Sequence, residues 1–463
     1  MSTTSAESAE SAESAVSAVS AVSAVSAVSA VSAASAASAA PAAARTDAPR
    51  PVAVVVDGYS AGNFYPAAFA AYGTAVVHVQ STPELIPAMA PPDLSAYDDT
   101  VVVTDEAELV DVLRALDPVC VIAGQESSVP LADRLSEAVG VPSNGSAQSP
   151  ARRDKYEMTE TLRRAGVRCV SQFKTDDPDA AVNWAEGQGT YPVVVKPLSS
   201  AASDGVVVCA GPDEVRTAAR AVLDAPNMFG IANTEILVQS YLKGTEYIVD
   251  TVSCGGERYV CGVWEYEKTL LPSGKNIYNR DLLADPDTDP VVAELTAYVD
   301  EVLAALGVAW GPAHAEVIVT DQGPVLVEIG TRLNGNISAP FHDVCLGHNQ
   351  AALTAQAYTR PEEFRARYGG RTYARLQPAV VYNTPTELDG VVESVDGTAV
   401  AEIRSLESVF SATVKLAPGA RITPTVDLLT TPLRVYLTAP DETALTADYE
   451  KVRSLKDAVY VVA

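Results

Sequence analysis

The first periodic pattern begins at Pro51. Val52–Val56 is a continuous β-branched run closed by Asp57-Gly58, which predicts a buried strand and a turn. A helix over Tyr65–Tyr72, strands at Ala75–Val79 and Val101–Thr104, a helix over Glu106–Leu116, a strand at Val119–Ala123 and a helix over Pro130–Val139 follow. Strands alternating with helices predict an α/β unit over residues 51–149, Rossmann-like, with a parallel doubly wound sheet.

Near Pro150 the pattern changes. Asp154–Ala165 predicts a helix stopped by Gly166. Apolar runs at Tyr191–Lys196, Gly205–Cys209, Ile236–Gln239, Glu246–Ser253 and Tyr259–Tyr266 predict strands, the last three antiparallel. A helix over Val291–Leu306 precedes strands at His314–Thr320 and Val325–Ile329, joined by Asp321-Gln322-Gly323. This α+β unit is placed at 150–348. A third α+β segment, 349–463, opens with a helix near Gln350–Tyr358 and carries strands near Ala374–Tyr382, Arg434–Tyr436 and Ala458–Val462.

Residues 1–50 repeat Ser-Ala-Glu, Ser-Ala-Val and Ser-Ala-Ala triplets. A three-residue period drifts around a helix and offers no large apolar face, so a disordered tail is expected. It lacks the basic start and Leu-rich core of a secretory signal.

Composition narrows the function classes. The formal charge of −27 disfavours nucleic acid and anionic membrane surfaces as partners. After the tail, no stretch reaches the apolar length of a membrane span. The six cysteines are scattered without CxxC pairing, which suits small core residues in a reducing, cytoplasmic setting.

Several segments carry candidate chemistry. Asp57-Gly58-Tyr59-Ser60-Ala61-Gly62 is not GxGxxG, which argues against dinucleotide binding. Val121-Ile122-Ala123-Gly124-Gln125-Glu126 places a carboxylate at the end of a buried strand, where open α/β sheets bind ligands. Glu126 can take a substrate ammonium there, or be an exposed loop residue. Lys196 closes the run Val193–Val195, and a lysine in that position is costly unless it meets an anion or reaches solvent. The small residues Ser199–Gly205 after it can cradle phosphates. Glu316 and Glu328 sit on two strands of a predicted hairpin, with Arg332 just beyond. Two converging carboxylates near phosphates suit Mg²⁺, and an arginine there can stabilise a transferring phosphoryl group. The alternative is a surface Glu–Arg pair.

Together these segments resemble the ATP-grasp enzymes, and within them the L-amino acid ligases (dipeptide synthetases), over roughly residues 52–350. The resemblance implies ATP binding by Lys155 and Lys196, by Ser199, Ser200, Ser203 and Gly205 of a phosphate-covering loop, and by the hinge residues Gln239, Tyr241 and Leu242, with Glu246 on the ribose. It implies Mg²⁺, or Mn²⁺ in its place, on Glu316 and Glu328. Arg332 would hold the acyl-phosphate and Lys268 the γ-phosphate, with Lys275 a competitor for the latter. Glu126, His314, Asn334 and Asn336 would face the amino-acid substrates.

The chain has Gln239 where the family often has Glu, Ala201 and Ala202 where glycine is common, and Gly330 where many members have Asn. The last departure is shared by amino acid ligases. The implied reaction joins a carboxylate to an amine through an acyl-phosphate, giving ADP and phosphate, with amino acids as small-molecule partners and a homodimer as one assembly. The linkage is α-dipeptide or γ-glutamyl, and specialised-metabolite or antibiotic biosynthesis is the expected setting. A purine-pathway-like ligase or carboxylase, or a non-catalytic ATP-binding regulator, is the alternative.

Overall fold

The computed structural model describes residues 50–82, 84–85, 89–102, 105–199, 205–227, 230–270, 276–426 and 430–463. The triplet repeats therefore lie outside the described residues, as do Ser200, Ser203 and Lys275.

Four strands, β1 (Val52–Val56), β2 (Ala75–Gln80), β3 (Asp99–Val102) and β4 (Cys120–Ala123), form a parallel sheet in the order β3-β2-β1-β4. Helix α1 (Tyr65–Ala70) connects β1 to β2, α2 (Glu106–Leu116) connects β3 to β4, and α3 (Val129–Val139) follows β4. The alternation within β1 explains why it reads as one apolar run. Ala53 and Val55 enter the core on one face, and Val54 and Val56 the core on the other. The first of these cores also takes Leu333, Ile337, Ala351, Ala355 and Tyr358 from far along the chain. This packing ties the carboxyl end of β4 to the segment around Arg332.

Helix α4 (Lys155–Ala165) is capped by Asp154, whose carboxylate accepts from the amides of Tyr156 and Glu157. It precedes β5 (Gln172–Thr175), α5 (Pro178–Gln188), β6 (Val193–Pro197), β7 (Val207–Cys209), α6 (Pro212–Asp224) and β8 (Ile236–Ser240). These strands make an antiparallel sheet ordered β5-β8-β6-β7, with α5 and α6 contributing to its core. β5, α5 and α6 were not anticipated from periodicity. Asp177-Pro178 and Gly211-Pro212 nonetheless carry helix-start signals.

The largest sheet has nine strands. It begins with β9 (Thr245–Cys254), β10 (Glu257–Leu270) and β11 (Asn276–Leu283). After α7 (Val291–Ala305) come β12 (Trp310–Thr320) and β13 (Gly323–Gly330). Helices α8 (Ala339–Leu346), α9 (Gln350–Thr359) and α10 (Pro361–Tyr368) lead to β14 (Arg371–Thr372), β15 (Ala379–Thr384), β16 (Gly390–Val395), α11 (Gly397–Arg404), β17 (Val409–Val414), β18 (Arg421–Ile422), β19 (Leu433–Thr438), α12 (Glu442–Leu455) and β20 (Tyr460–Val462). The sheet runs β13-β12-β9-β10-β11-β15-β19-β17, with β14 beside β10. It is therefore continuous across residue 349. A separate sheet is ordered β18-β16-β20.

One strand was not anticipated and one expectation is corrected. Asn276–Leu283 is a strand paired to both β10 and β15. The strand expected from Ala374 starts only at Ala379, after Pro378, which has no N–H to give a ladder. Five cysteines are buried, Cys169 is partly so, and all six are free thiols. Among the described residues, no helix is long and apolar enough to cross a membrane.

Candidate active site

The β12–β13 hairpin sets Glu316 directly opposite Glu328, beside a register irregularity between Glu316 and Val317. Directly paired antiparallel residues point to one face, so both carboxylates do. The Glu328 carboxylate lies 2.6 Å from Lys155 Nζ. Burial alone would raise the Glu328 carboxyl, but Lys155, then Lys196 and Arg332, outweigh it and hold it at about 2. Lys155 is the first residue of α4, and its amide donates to the Leu198 carbonyl at the end of β6. That bond places it next to Lys196, which is buried within β6. Burial first and the nearby Lys155 second push the Lys196 ammonium down to about 8, against the pull of Glu328, Glu316 and Glu246. A buried ammonium so poorly compensated has a place for an added anion.

Arg332 follows β13, and its Nε lies 2.8 Å from Glu126 Oε2. Arg153 reaches Glu126 Oε1 at 3.4 Å. Glu126 is thus neither an exposed loop residue nor free to face solvent: it is buried in a short helical turn after β4 and paired with two arginines. Arg153 was not singled out from sequence, although it stands in the basic run Arg152-Arg153-Asp154-Lys155. A small cavity is lined by Glu126, Arg153, Lys155, Glu328, Gly330 and Arg332.

A second polar chain adjoins the first. His314 Nδ1 is 2.8 Å from Asp250 Oδ1, and His314 Nε2 is 3.6 Å from Glu316 Oε1. Burial opposes protonation of His314, yet Asp250 and Glu316 raise it to about 9, so it is an imidazolium at neutral pH. Asn334 Nδ2 donates to Asp250 Oδ2 at 2.9 Å, and Asn334 Oδ1 accepts from the Asn336 amide at 2.8 Å. The Asn334 side chain is therefore committed at both ends within the protein. The Gln350 side chain fixes its backbone, accepting from the Asn334 amide at 2.9 Å. Asp250 was missed from sequence. Its signal is a lone carboxylate in the apolar run Tyr247-Ile248-Val249-Asp250-Thr251-Val252.

The remaining candidates lie around β6 to β10. Glu246 is buried near the start of β9 and pairs with Lys268 of β10 at 2.5 Å. Gln239 is buried in β8, where its Nε2 donates to Gln172 Oε1 at 3.1 Å. Tyr241 and Leu242 occupy the connection from β8 to β9, with Tyr241 exposed. The Ser199 carbonyl accepts from Asn227 Nδ2 at 2.7 Å. Gly205 has φ of 67°, a left-handed conformation that favours glycine. Among the described residues, no group of three or more His, Cys, Asp and Glu side chains could hold a metal ion. The Glu316–Glu328 pair instead fits a hard divalent cation that takes two carboxylates and completes its shell with ligand and water oxygens.

The arrangement brings three cations and two facing carboxylates to one end of a strongly acidic chain, a constellation suited to a nucleoside triphosphate with its metal. Comparison with known proteins agrees. The model of the ATP-grasp domain family matches residues 189–340. Dapdiamide A synthase of Enterobacter agglomerans is 33% identical over 389 residues, covering 82% of this chain and 90% of that protein. An L-amino acid ligase structure from Bacillus licheniformis superposes with a TM-score of 0.68 at 20% identity, over 90% of this chain and 100% of that one. The biotin carboxylase domain of 2-oxoglutarate carboxylase from Hydrogenobacter thermophilus, in complex with MgADP, ADP and bicarbonate, superposes with a TM-score of 0.59 at 16% identity, over 89% and 90% of the two chains. On the extent and identity of the first match, and on the shared fold, this chain belongs to the ATP-grasp ligase family.

Proposed function

We propose that the protein joins two amino acids, as an α- or γ-glutamyl-type dipeptide, in specialised-metabolite or antibiotic biosynthesis. The observation that carries this reading is the Glu316–Glu328 pair, flanked by Lys155, Lys196 and Arg332, with Gly330 between the second carboxylate and the arginine. The dapdiamide A synthase and L-amino acid ligase likenesses support the same branch.

In this reading Lys155 and Lys196 neutralise phosphate charge, while Gln239, Tyr241, Leu242 and Glu246 receive the adenosine. Glu316 and Glu328 hold Mg²⁺, which when bound supplies further charge neutralisation at the phosphates. The donor carboxylate attacks the γ-phosphorus, the bond to the β-phosphate oxygen breaks, and ADP leaves. The acceptor amine then attacks the acyl carbon, a C–N bond forms, and phosphate leaves with the proton shed by the nitrogen. Arg332 stabilises the acyl-phosphate, and the protein's work is positioning and charge neutralisation. Lys155 and Lys268 must leave Glu328 and Glu246 to do this, so the ion pairs seen are partners to be exchanged on binding. A screen of amino-acid pairs for ADP release, with mass analysis of products, tests the reading. Condensed product with stoichiometric ADP is expected, and ADP release only with bicarbonate or a phosphorylated substrate would overturn it.

A further inference from the structure

The large sheet carries a second group of buried polar side chains on the face of the site, reaching into β15 and β19. The register places Asp281 of β11 opposite Tyr266 of β10, and Tyr266 opposite Glu246 of β9. On its other side Asp281 stands opposite Val381 of β15, two residues from Asn383, and Asn383 stands opposite Arg434 of β19. Side chains two apart on a strand share a face. Asp281, Asn383 and Arg434 therefore share theirs with Glu246.

None of these was anticipated from sequence, and nothing in the chemistry derived above uses them. Asp281 and Asn383 are 3% and 0% exposed. Asp281 Oδ1 and Asn383 Nδ2 have no hydrogen-bond partner among the described residues. Arg434 Nε donates to Asn383 Oδ1 at 2.8 Å and the guanidinium also bonds the Tyr436 hydroxyl, which leaves part of its five N–H donors for a further partner. Burial pushes the Asp281 carboxyl up to about 7 against the pull of Arg434, and the two form no direct ion pair among the described residues. A buried acceptor and a buried donor, both unsatisfied, are costly without a ligand. His314 and Glu316 also act on Asp281, which puts the group beside the site already described. The Tyr436 hydroxyl, 3.4 Å from the Asn336 carbonyl, closes the same side.

We propose that Asp281, Asn383 and Arg434 form the recognition site for the charged head of the acceptor amino acid. Arg434 takes the α-carboxylate, which stays free in the product, and Asp281 takes the α-ammonium and accepts the proton it must lose before the nitrogen can attack the acyl carbon. An α-amino acid carries these opposite charges on adjacent groups, so it can bridge an arginine and an aspartate that do not touch each other. Asn383 Nδ2 supplies a further donor to the carboxylate. This assignment rests on the ligase reading above and adds the class of acceptor: a free α-amino acid with an unblocked carboxylate.

The test compares wild type with Arg434→Gln and Arg434→Lys, using glycine, L-alanine and L-valine and their C-terminal amides as acceptors. For Arg434→Gln, KM for the free amino acids should rise roughly 10- to 100-fold, the loss of a charge-assisted bond, while KM for the amides stays as in wild type. Arg434→Lys should recover part of the loss. Equal changes for acids and amides, or none, would overturn the assignment. Calorimetric titration of the same acceptors into wild type and both variants, without ATP, reads the site separately from turnover. Weaker binding of the acids alone supports the proposal even if no ADP release is found, in which case it is the ligase reading that fails. Equal binding by all three proteins sinks the proposal. Should Arg434→Gln not fold, the Arg434→Lys comparison of acids against amides carries the same two outcomes.

Discussion

Gly330 and Glu126 occupy each other's space: a Cβ built on Gly330 would come within 2.5 Å of Glu126 Oε2 and 3.0 Å of the Arg332 guanidinium carbon. The absence of a side chain at residue 330 is what lets the Glu126–Arg332 pair form. Many ATP-grasp enzymes carry Asn at this point, and here it would displace the pair.

Replacing Gly330 by Ala tests that relationship. The atoms it meets are ends of flexible side chains, so the backbone need not move and the melting temperature should fall by only about 2 °C, as for a loss below 1 kcal/mol. The pair should break, and ADP release should drop at least about tenfold, equivalent to ~1.4 kcal/mol in the barrier. Steady-state kinetics with a thermal melt separates the two effects, and unchanged turnover would refute the link.

Glu328→Ala should abolish ADP formation while leaving the fold intact. The carboxylate is partly exposed at the end of β13, so little packing is lost. Its removal takes away one of two facing metal ligands and leaves Lys155 without its 2.6 Å partner. Near-normal turnover at saturating Mg²⁺, with an unchanged circular dichroism spectrum, would remove the metal assignment.

ATP binding should be coupled to proton uptake at alkaline pH. Lys196 is depressed to about 8 by burial and by Lys155. A bound phosphate restores the ammonium, so the empty protein should take up a proton on binding ATP at pH 9 and almost none from this residue at pH 6.5. Calorimetry in buffers of different ionisation enthalpy measures the uptake. Lys196→Met should abolish it, and equal uptake at both pH values would exclude Lys196 as its source.

His314 predicts a loss of stability on the alkaline side of neutrality. Its folded value is raised to about 9 from 6.5, so its contribution is fully present below 6.5 and is lost as pH rises through 9. Between pH 6.5 and 8, the loss should be on the order of 1–2 kcal/mol in urea unfolding. Asp250→Asn removes the largest attraction holding the proton and should flatten this slope. An unaltered slope would show that another group titrates there.

The one-dimensional pattern was enough for the strands that are apolar throughout or strictly punctuated. Val52–Val56, Cys120–Ala123 and the β12–β13 hairpin were legible because burial on both faces, or a tight turn, leaves a local trace. Lys196 stood out for a similar reason, since it closes an apolar run where a charge is costly, whereas Lys155 came only from the family resemblance and Arg332 from its place just beyond the hairpin.

β11 was not legible, because Asn276–Leu283 mixes polar and apolar residues and becomes a strand only between β10 and β15. Asp250, Asp281 and Arg434 were missed on the same ground. A lone charge in a strand shows its meaning only when its cross-strand neighbours are known, and those lie from 12 to 100 residues away. Local propensity and patterning thus determined the apolar and sharply punctuated elements and their order. Long-range strand register, with the packing of Leu333 into the core of the first sheet, decided which charges meet, because side-chain direction in a sheet depends on pairing partners that the local sequence does not specify.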